Sequence, residues 1–247
     1  TWYAEQERDS VANTGAIDDL YQEYPDTDTQ ALAPRSLDKR IPSVWLEACY
    51  VEAPPIAPAG APMLPGLTMY AKPEMGKVYV IGADPAEGNP TSDESSATIL
   101  EFETGEEVAS LSGRYEIDVF AGYVEQRASY YNWAAVRPER NNHGHAFILW
   151  FQQNSRIPLL DGSDKPVKSR QPKPGWLSNR LGKALMYSQI AESMRDGNMR
   201  LHSFETYMQL ASIEGATLRA PEGQHDDRAD SAALADCARV QLVKSRK

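Results

Sequence analysis

The amino-acid sequence predicts an α/β fold: a mixed central β-sheet, part antiparallel meander and part parallel pair, with helices on both faces. Three observations lead to it. Residues 77–84 and 133–138 are short apolar runs with the β-branched or aromatic content of buried strands, one closed by Asp84-Pro85 and the other by Pro138-Glu139. Two more extended runs and one stretch of helical periodicity separate them. Helix and strand patterns then keep alternating to the end of the chain, as α/β proteins require.

Taken in order, residues 1–30 are acidic: Glu5, Glu7, Asp9, Asp18, Asp19, Glu23, Asp26 and Asp28 face only Arg8. They read as one or two short polar helices broken near Asn13-Thr14-Gly15. Prolines crowd residues 34–73, and the stretch 53–62 fits neither a helix interior nor a central strand. Residues 1–66 are therefore expected to be an acidic, Pro-rich linker and 67–247 the compact domain. Within it, strands at 77–84, 97–102 and 107–115, joined by short connections, make the antiparallel meander. Asp118 is expected to N-cap a helix that turns Phe120, Tyr123, Val124, Ala128 and Tyr131 inward and ends near Asn132. The strand at 133–138 follows, and then a helix over about 142–153. A second amphipathic helix over 178–196 is expected to bury Leu181, Leu185, Ile190 and Met194. Residues 199–202 are read as one more strand, 204–212 as a helix, and 228–244 as a final alanine-rich helix.

The bulk numbers narrow the function. A chain of 247 residues, 41% of them apolar, has material for a sizeable core. A net charge of -10 argues against a protein that coats nucleic acid, while leaving room for one local basic patch. That patch is the loop holding Arg156, Lys165, Lys168, Arg170 and Lys173, opposed only by Asp161 and Asp164. Phosphate contact is expected from Lys165, Lys168, Arg170 and Lys173. Cys49 and Cys237 are far apart, so neither a disulfide framework nor a zinc knuckle is indicated and a reducing, cytosolic setting is expected. No apolar run reaches membrane-spanning length, and no basic-then-apolar leader is present. The start at Thr1, without Met, reads as a fragment or processed product.

Three acidic sites call for a common explanation: Asp84 after one strand, Glu139 after another, and Asp226, Asp227 and Asp230 where the last helix begins. Strand, crossover helix, strand makes the first two strands parallel, so as sheet neighbours they bring both carboxylates to one edge. Asp227 and Asp230 are three residues apart and share a helix face. Carboxylates crowded on one edge repel one another unless a cation intervenes, and ligands that are all oxygen suit Mg2+ or Mn2+ rather than zinc. Two such ions activate a water and stabilise the leaving oxygen of a phosphodiester. His143 and His145 lack nearby soft ligands and are not read as a metal pair.

These residues carry a resemblance. IGADPAEG at 81–88, VRPERNNHG at 136–144 and GQHDDRADSAAL at 223–234, in that order, with PGW at 174–176 before the last of them, resemble the nuclease half of tailed-phage large terminase subunits. The resemblance spans about residues 70–238. It implies a ribonuclease H-like fold and a metal-dependent endonuclease that cuts double-stranded concatemeric DNA during packaging, with two Mg2+ or Mn2+ ions. It further implies Asp84, Glu139 and Asp227 as catalytic metal ligands, Asp226 and Asp230 as neighbours that share in metal binding, and His225 as a residue that positions a water or the scissile phosphate. Partners implied are double-stranded DNA, an ATPase domain, a portal protein and a small terminase subunit in the host cell cytoplasm, the isolated domain being monomeric and free of membranes. One departure is plain: no G-x-x-x-x-G-K-[ST] phosphate loop is present, so the ATPase half is missing, although YQEYP at 21–25 is similar to the junction that follows it. Two rivals stand beside this reading. One is a Holliday-junction-resolvase-like nuclease; the other is a non-catalytic DNA-gripping or capsid-docking module whose carboxylates only cap helices.

Overall fold

The computed structural model describes residues 2, 5–9, 24, 39–57, 62–88, 93–162 and 173–245. Its elements run α1 (Ser43–Cys49), β1 (Leu67–Met69), β2 (Tyr79–Asp84), β3 (Ser95–Glu101), β4 (Glu107–Gly113), α2 (Ile117–Tyr130) and β5 (Ala135–Pro138). Then follow α3 (Gly144–Asn154), α4 (Arg180–Arg195), α5 (Phe204–Ser212) and α6 (Asp227–Ser245). The five strands form one sheet in the order β1-β4-β3-β2-β5. The meander β2-β3-β4 is antiparallel throughout, and β5 adds to β2 in parallel. The expected mixed sheet with helices on both faces is borne out.

Side-chain alternation decides what each face of β2 meets. Tyr79, Ile81 and Ala83 join Phe120, Val124, Phe147 and Phe151 of α2 and α3 in one apolar cluster. Val80 belongs to a second cluster, on the opposite face, with Ala232, Leu234, Ile190 and Met186 of α6 and α4. Gly82 and Asp84 share the parity of Val80 and therefore face α6. On β3 the same parity puts Ser96 and Thr98 under the helix, where their hydroxyls bond Ser231 Oγ at 3.0 and 2.9 Å. Sheet and helix approach so closely because the contact is made of small residues. Ala229, Ala232, Ala233, Ala235 and Ala238 are fully buried, and a methyl group at Gly82 would lie 2.1 Å from Ser231 O and 2.3 Å from Ala235 N.

The structure corrects several sequence expectations. Ile41, Leu46 and Cys49, from the stretch read as linker, are buried against α4, so packing reaches back before residue 67. Most of the acidic stretch lies outside the described residues. On α4, Ile190 and Met194 are buried as expected, but Leu181 and Leu185 are exposed at 69% and 47%, and Gly182, Met186, Tyr187 and Ala191 complete the buried face. The apolar pattern alone had favoured the leucines, but in the first two turns tertiary packing buries Gly182, Met186 and Tyr187. Asp118 does not cap α2. The chain is already helical at Ile117, and Asp118 sits in the first turn, where a carboxylate favours the positive end of the helix dipole. Helix α2 ends at Tyr130 because Asn132 and Trp133 take φ values of 56° and 62°, and Asn132 Nδ2 donates to the carbonyls of Glu74 and Lys77. Residues 199–202 form no strand. They thread between two neighbours, Arg200 bridging to Glu106 and Leu201 to Tyr50. Among the described residues no helix is long and apolar enough to cross a membrane.

Gly82→Ala is expected to force α6 away from β2, because the new methyl meets backbone atoms that cannot rotate aside. Overpacking of this kind costs about 1–3 kcal/mol, to be read from urea denaturation against the wild-type chain.

Candidate metal centre

Registry places the first two carboxylates. Gly82 pairs with Arg137 and Ala83 with Pro138 across the parallel ladder, so the next pair in line is Asp84 and Glu139. The Glu139 N–H still bonds Ala83 O at 2.7 Å, which keeps the two strand ends together past the last ladder residue. Both side chains have the parity of Gly82 and Arg137, the face covered by α6. Beyond Glu139 the chain turns sharply, with Asn142 at φ 37°, and at Gly144 a side chain would strike the Glu139 carbonyl at 1.9 Å. Asn141 Nδ2 lies 3.4 Å from Glu139 Oε1.

The third acidic site comes from the first turn of α6. Its orphan N–H groups need an acceptor, and an aspartate at this position would ordinarily supply one. Here Gln209 of α5 does so instead: its Oε1 accepts from Arg228 N at 2.7 Å and from Ala229 N at 3.3 Å. The carboxylates of Asp226, Asp227 and Asp230 are thereby released from capping these groups and line the same cleft as Asp84 and Glu139, a space of about 500 Å³.

Two residues that the sequence reading did not single out hold Asp230. Lys183 Nζ lies 2.7 Å from Asp230 Oδ2 and 3.4 Å from Asp226 Oδ2, and the Tyr187 hydroxyl donates to Asp230 Oδ1 at 2.5 Å. Lys183 and Tyr187 are four apart on α4, one turn, on its buried side. A lysine on the packed face of an amphipathic helix needs a carboxylate partner, and that was the signal available in the sequence. Asn179 sets the helix in register by capping it, its Oδ1 accepting from Gly182 N at 2.8 Å.

Among the described residues, the cleft is lined by far more carboxylates than cations. Asp84, Glu87, Asp93, Glu139, Asp226, Asp227 and Asp230 line it against Lys183 and Arg219. Burial first, and then the charges of Glu139 and Asp230, push the Asp84 carboxyl well above the usual carboxylate range. Burial lifts Asp227 to about 7, reinforced by Asp93 and Asp226. It lifts Asp230 to about 6, even though Lys183 and Tyr187 pull the other way. Lys183 is raised as well: burial opposes its charge, but Asp230 and Asp226 outweigh that. Carboxyl groups raised in this way in a shared polar cleft mark it as a candidate functional site.

The other predicted residues are distributed unevenly. His225 sits at the rim, half exposed, with Nδ1 3.5 Å from Asp93 Oδ1 and 3.7 Å from Asp227 Oδ2. His143 lines the cleft while His145 is exposed on α3. Lys165, Lys168 and Arg170 lie outside the described residues. Lys173 is exposed and does not line the cleft; its carbonyl accepts from Gly162 N at 3.1 Å. Trp176 is packed, with the Arg137 guanidinium 5.4 Å over its ring.

No protein-family model matches the chain, and no curated protein matches it by sequence. Solved structures do. The large terminase nuclease of the thermophilic phage G20c with bound magnesium superposes with a TM-score of 0.62, over 81% of this chain and 97% of that one, at 16% identity. The same nuclease with bound cobalt gives 0.63 at the same coverage and identity. The large terminase nuclease domain of Thermus phage P74-26 gives 0.56 over 77% and 91% at 19% identity. The likeness that the three acidic stretches implied is thus borne out in the fold: this chain is folded like these phage large-terminase nucleases.

Proposed function

We propose that this chain is a divalent-metal-dependent DNA endonuclease, the cutting domain of a phage DNA-packaging terminase. One observation carries the reading. Asp84, Glu139, Asp227 and Asp230 come from three separate elements and converge on one cleft at the carboxyl ends of two parallel strands, where Lys183 and Arg219 are the only lining cations among the described residues. An all-oxygen donor set of this kind fits Mg2+ or Mn2+, and two ions held by these four carboxylates would supply the activated water and the charge that stabilises a leaving 3′ oxygen. The chain's own groups prepare the site. Tyr187 and Lys183 fix the Asp230 carboxylate, the β2–β5 ladder fixes Asp84 beside Glu139, and Gln209 relieves the α6 aspartates of a capping role.

Arg219 at the cleft wall gives the approaching phosphodiester a cation, and further phosphate contact is expected, from the sequence, of Lys165, Lys168, Arg170 and Lys173. In the packaging machine, the ATPase domain, portal protein and small terminase subunit would position this domain on double-stranded DNA in the host cell. The capping by Gln209 disfavours the non-catalytic rival, in which the aspartates serve only the helix. A junction resolvase shares the fold and the chemistry, and comparison of a four-way junction with linear duplex as substrate separates the two.

Asp84→Asn, Glu139→Gln and Asp227→Asn are each expected to cut Mn2+-dependent plasmid cleavage by more than about a hundredfold, beyond what changes behind a metal ligand cost. Circular dichroism should be unchanged. Full activity in all three variants would remove the proposed site.

Because the folded-state pKa values of Asp84, Asp227 and Asp230 are raised, the metal-free folded chain binds more protons than the unfolded chain between about pH 4 and 7. Its melting temperature should therefore fall as pH rises through that window, and added Mg2+ should restore more stability at pH 8 than at pH 5.

Lys183→Met leaves Asp230 as an uncompensated buried charge. The expected loss at pH 8 without metal is roughly 3–5 kcal/mol, measured by urea denaturation, and it should shrink at pH 5, where Asp230 carries a proton.

A further inference from the structure

We infer that Asp93, His225 and Asp227 form a separate cation site at the mouth of the cleft, selective for ions that accept an imidazole nitrogen: Co2+, Zn2+ or Mn2+ in preference to Mg2+. The ligand atoms of these three side chains all lie within 4.8 Å of one another. His225 Nδ1 stands 3.5 Å from Asp93 Oδ1 and 3.7 Å from Asp227 Oδ2, so the ring nitrogen addresses both carboxylates at once. An ion seated among atoms so spaced is within roughly 2.4 Å of each, against about 2.0–2.2 Å for bonds of such ions to imidazole and carboxylate; small rotations of two exposed side chains close the difference.

The chemistry of this site differs from that of the inner one. Asp84, Glu139 and Asp230 offer only oxygen, whereas the rim adds a nitrogen, which moves preference toward borderline first-row ions. Topology gives the ion a further effect. Asp93 leads into β3, while His225 and Asp227 lead into α6, so a bound ion ties the loop between β2 and β3 to the start of the last helix across the mouth. Asp227 faces both sites and is not used to cap its own helix.

Equilibrium dialysis of the whole chain against Co2+ and against Mg2+, with metal content read by mass spectrometry, tests the inference. His225→Gln and Asp93→Asn, both substitutions of exposed side chains, should each lose one equivalent of Co2+, or bind it at least about tenfold more weakly, while Mg2+ content stays as in wild type. Substoichiometric Co2+ should also shift or broaden the ring resonances of His225 in the wild-type chain. If His225→Gln retains all of its Co2+, or if the His225 ring is untouched by Co2+ in the wild type, there is no rim site. Asp84→Asn separates this outcome from that of the nuclease reading: it should keep the His225-dependent Co2+ while losing metal from the inner centre. Loss of Co2+ in His225→Gln with none lost in Asp84→Asn supports the rim site and counts against the inner one.

Discussion

The contact of helix α6 with strand β2 at Gly82 governs the rest of the molecule. No side chain stands between helix and strand there; Ser231 and Ala235 backbone atoms occupy the space that a Cβ would need. Alanines above and hydroxyls below complete a seam with little bulk, so the helix start and the strand end come together. Asp84 lies two residues beyond Gly82 on the same face, and Asp227 and Asp230 lie within one turn before Ser231. The distance between the two acidic groups is therefore set by the closest-packed part of the core, which is also the part least able to yield.

A second constraint is electrostatic. Concentrating carboxylates in a partly dry cleft is unfavourable, and the chain answers it only in part. Tyr187 and Lys183 satisfy Asp230, and Asn141 reaches toward Glu139, but Asp84 and Asp227 are left with proton affinities far above those of ordinary aspartates. Buried charge elsewhere is handled differently. Arg137 on β5 is fully enclosed, yet it donates to the Asp161 carbonyl and to Gln241 of α6 and stacks on Trp176, with burial lowering it to about 10. That arrangement ties β5 to α6, Asp161 and Trp176 behind Glu139. Arg137 is thus held by neutral acceptors and an aromatic ring, whereas the cleft gathers carboxylates of like charge.

The fold shared with phage terminase nucleases, at identities of 16% to 19%, shows how little of the sequence this architecture requires. Among the described residues Lys183 and Arg219 are the cations that line the cleft, and under the proposed function partners would bring DNA to it.

Much of this was legible in the residues themselves. The apolar runs, the turns between them and the Asp-Pro and Pro-Glu steps determined the strands, the meander, the parallel pair and the two carboxylates at their ends, because period-two burial and strand punctuation are local properties. Tertiary structure decided the rest. Leu181 and Leu185 carry the stronger apolar signal on α4, yet the helix buries Met186 and Tyr187, and in that setting Lys183 and Tyr187 reach Asp230. The role of Asp226, Asp227 and Asp230 was equally open, because an aspartate at a helix start looks the same whether it caps or binds. It took Gln209, a residue from another helix, to free them, and no spacing within residues 223–234 could reveal that. Local sequence specifies which groups a strand or helix offers, and only packing between distant segments sets the face on which they are offered and the charges they meet there.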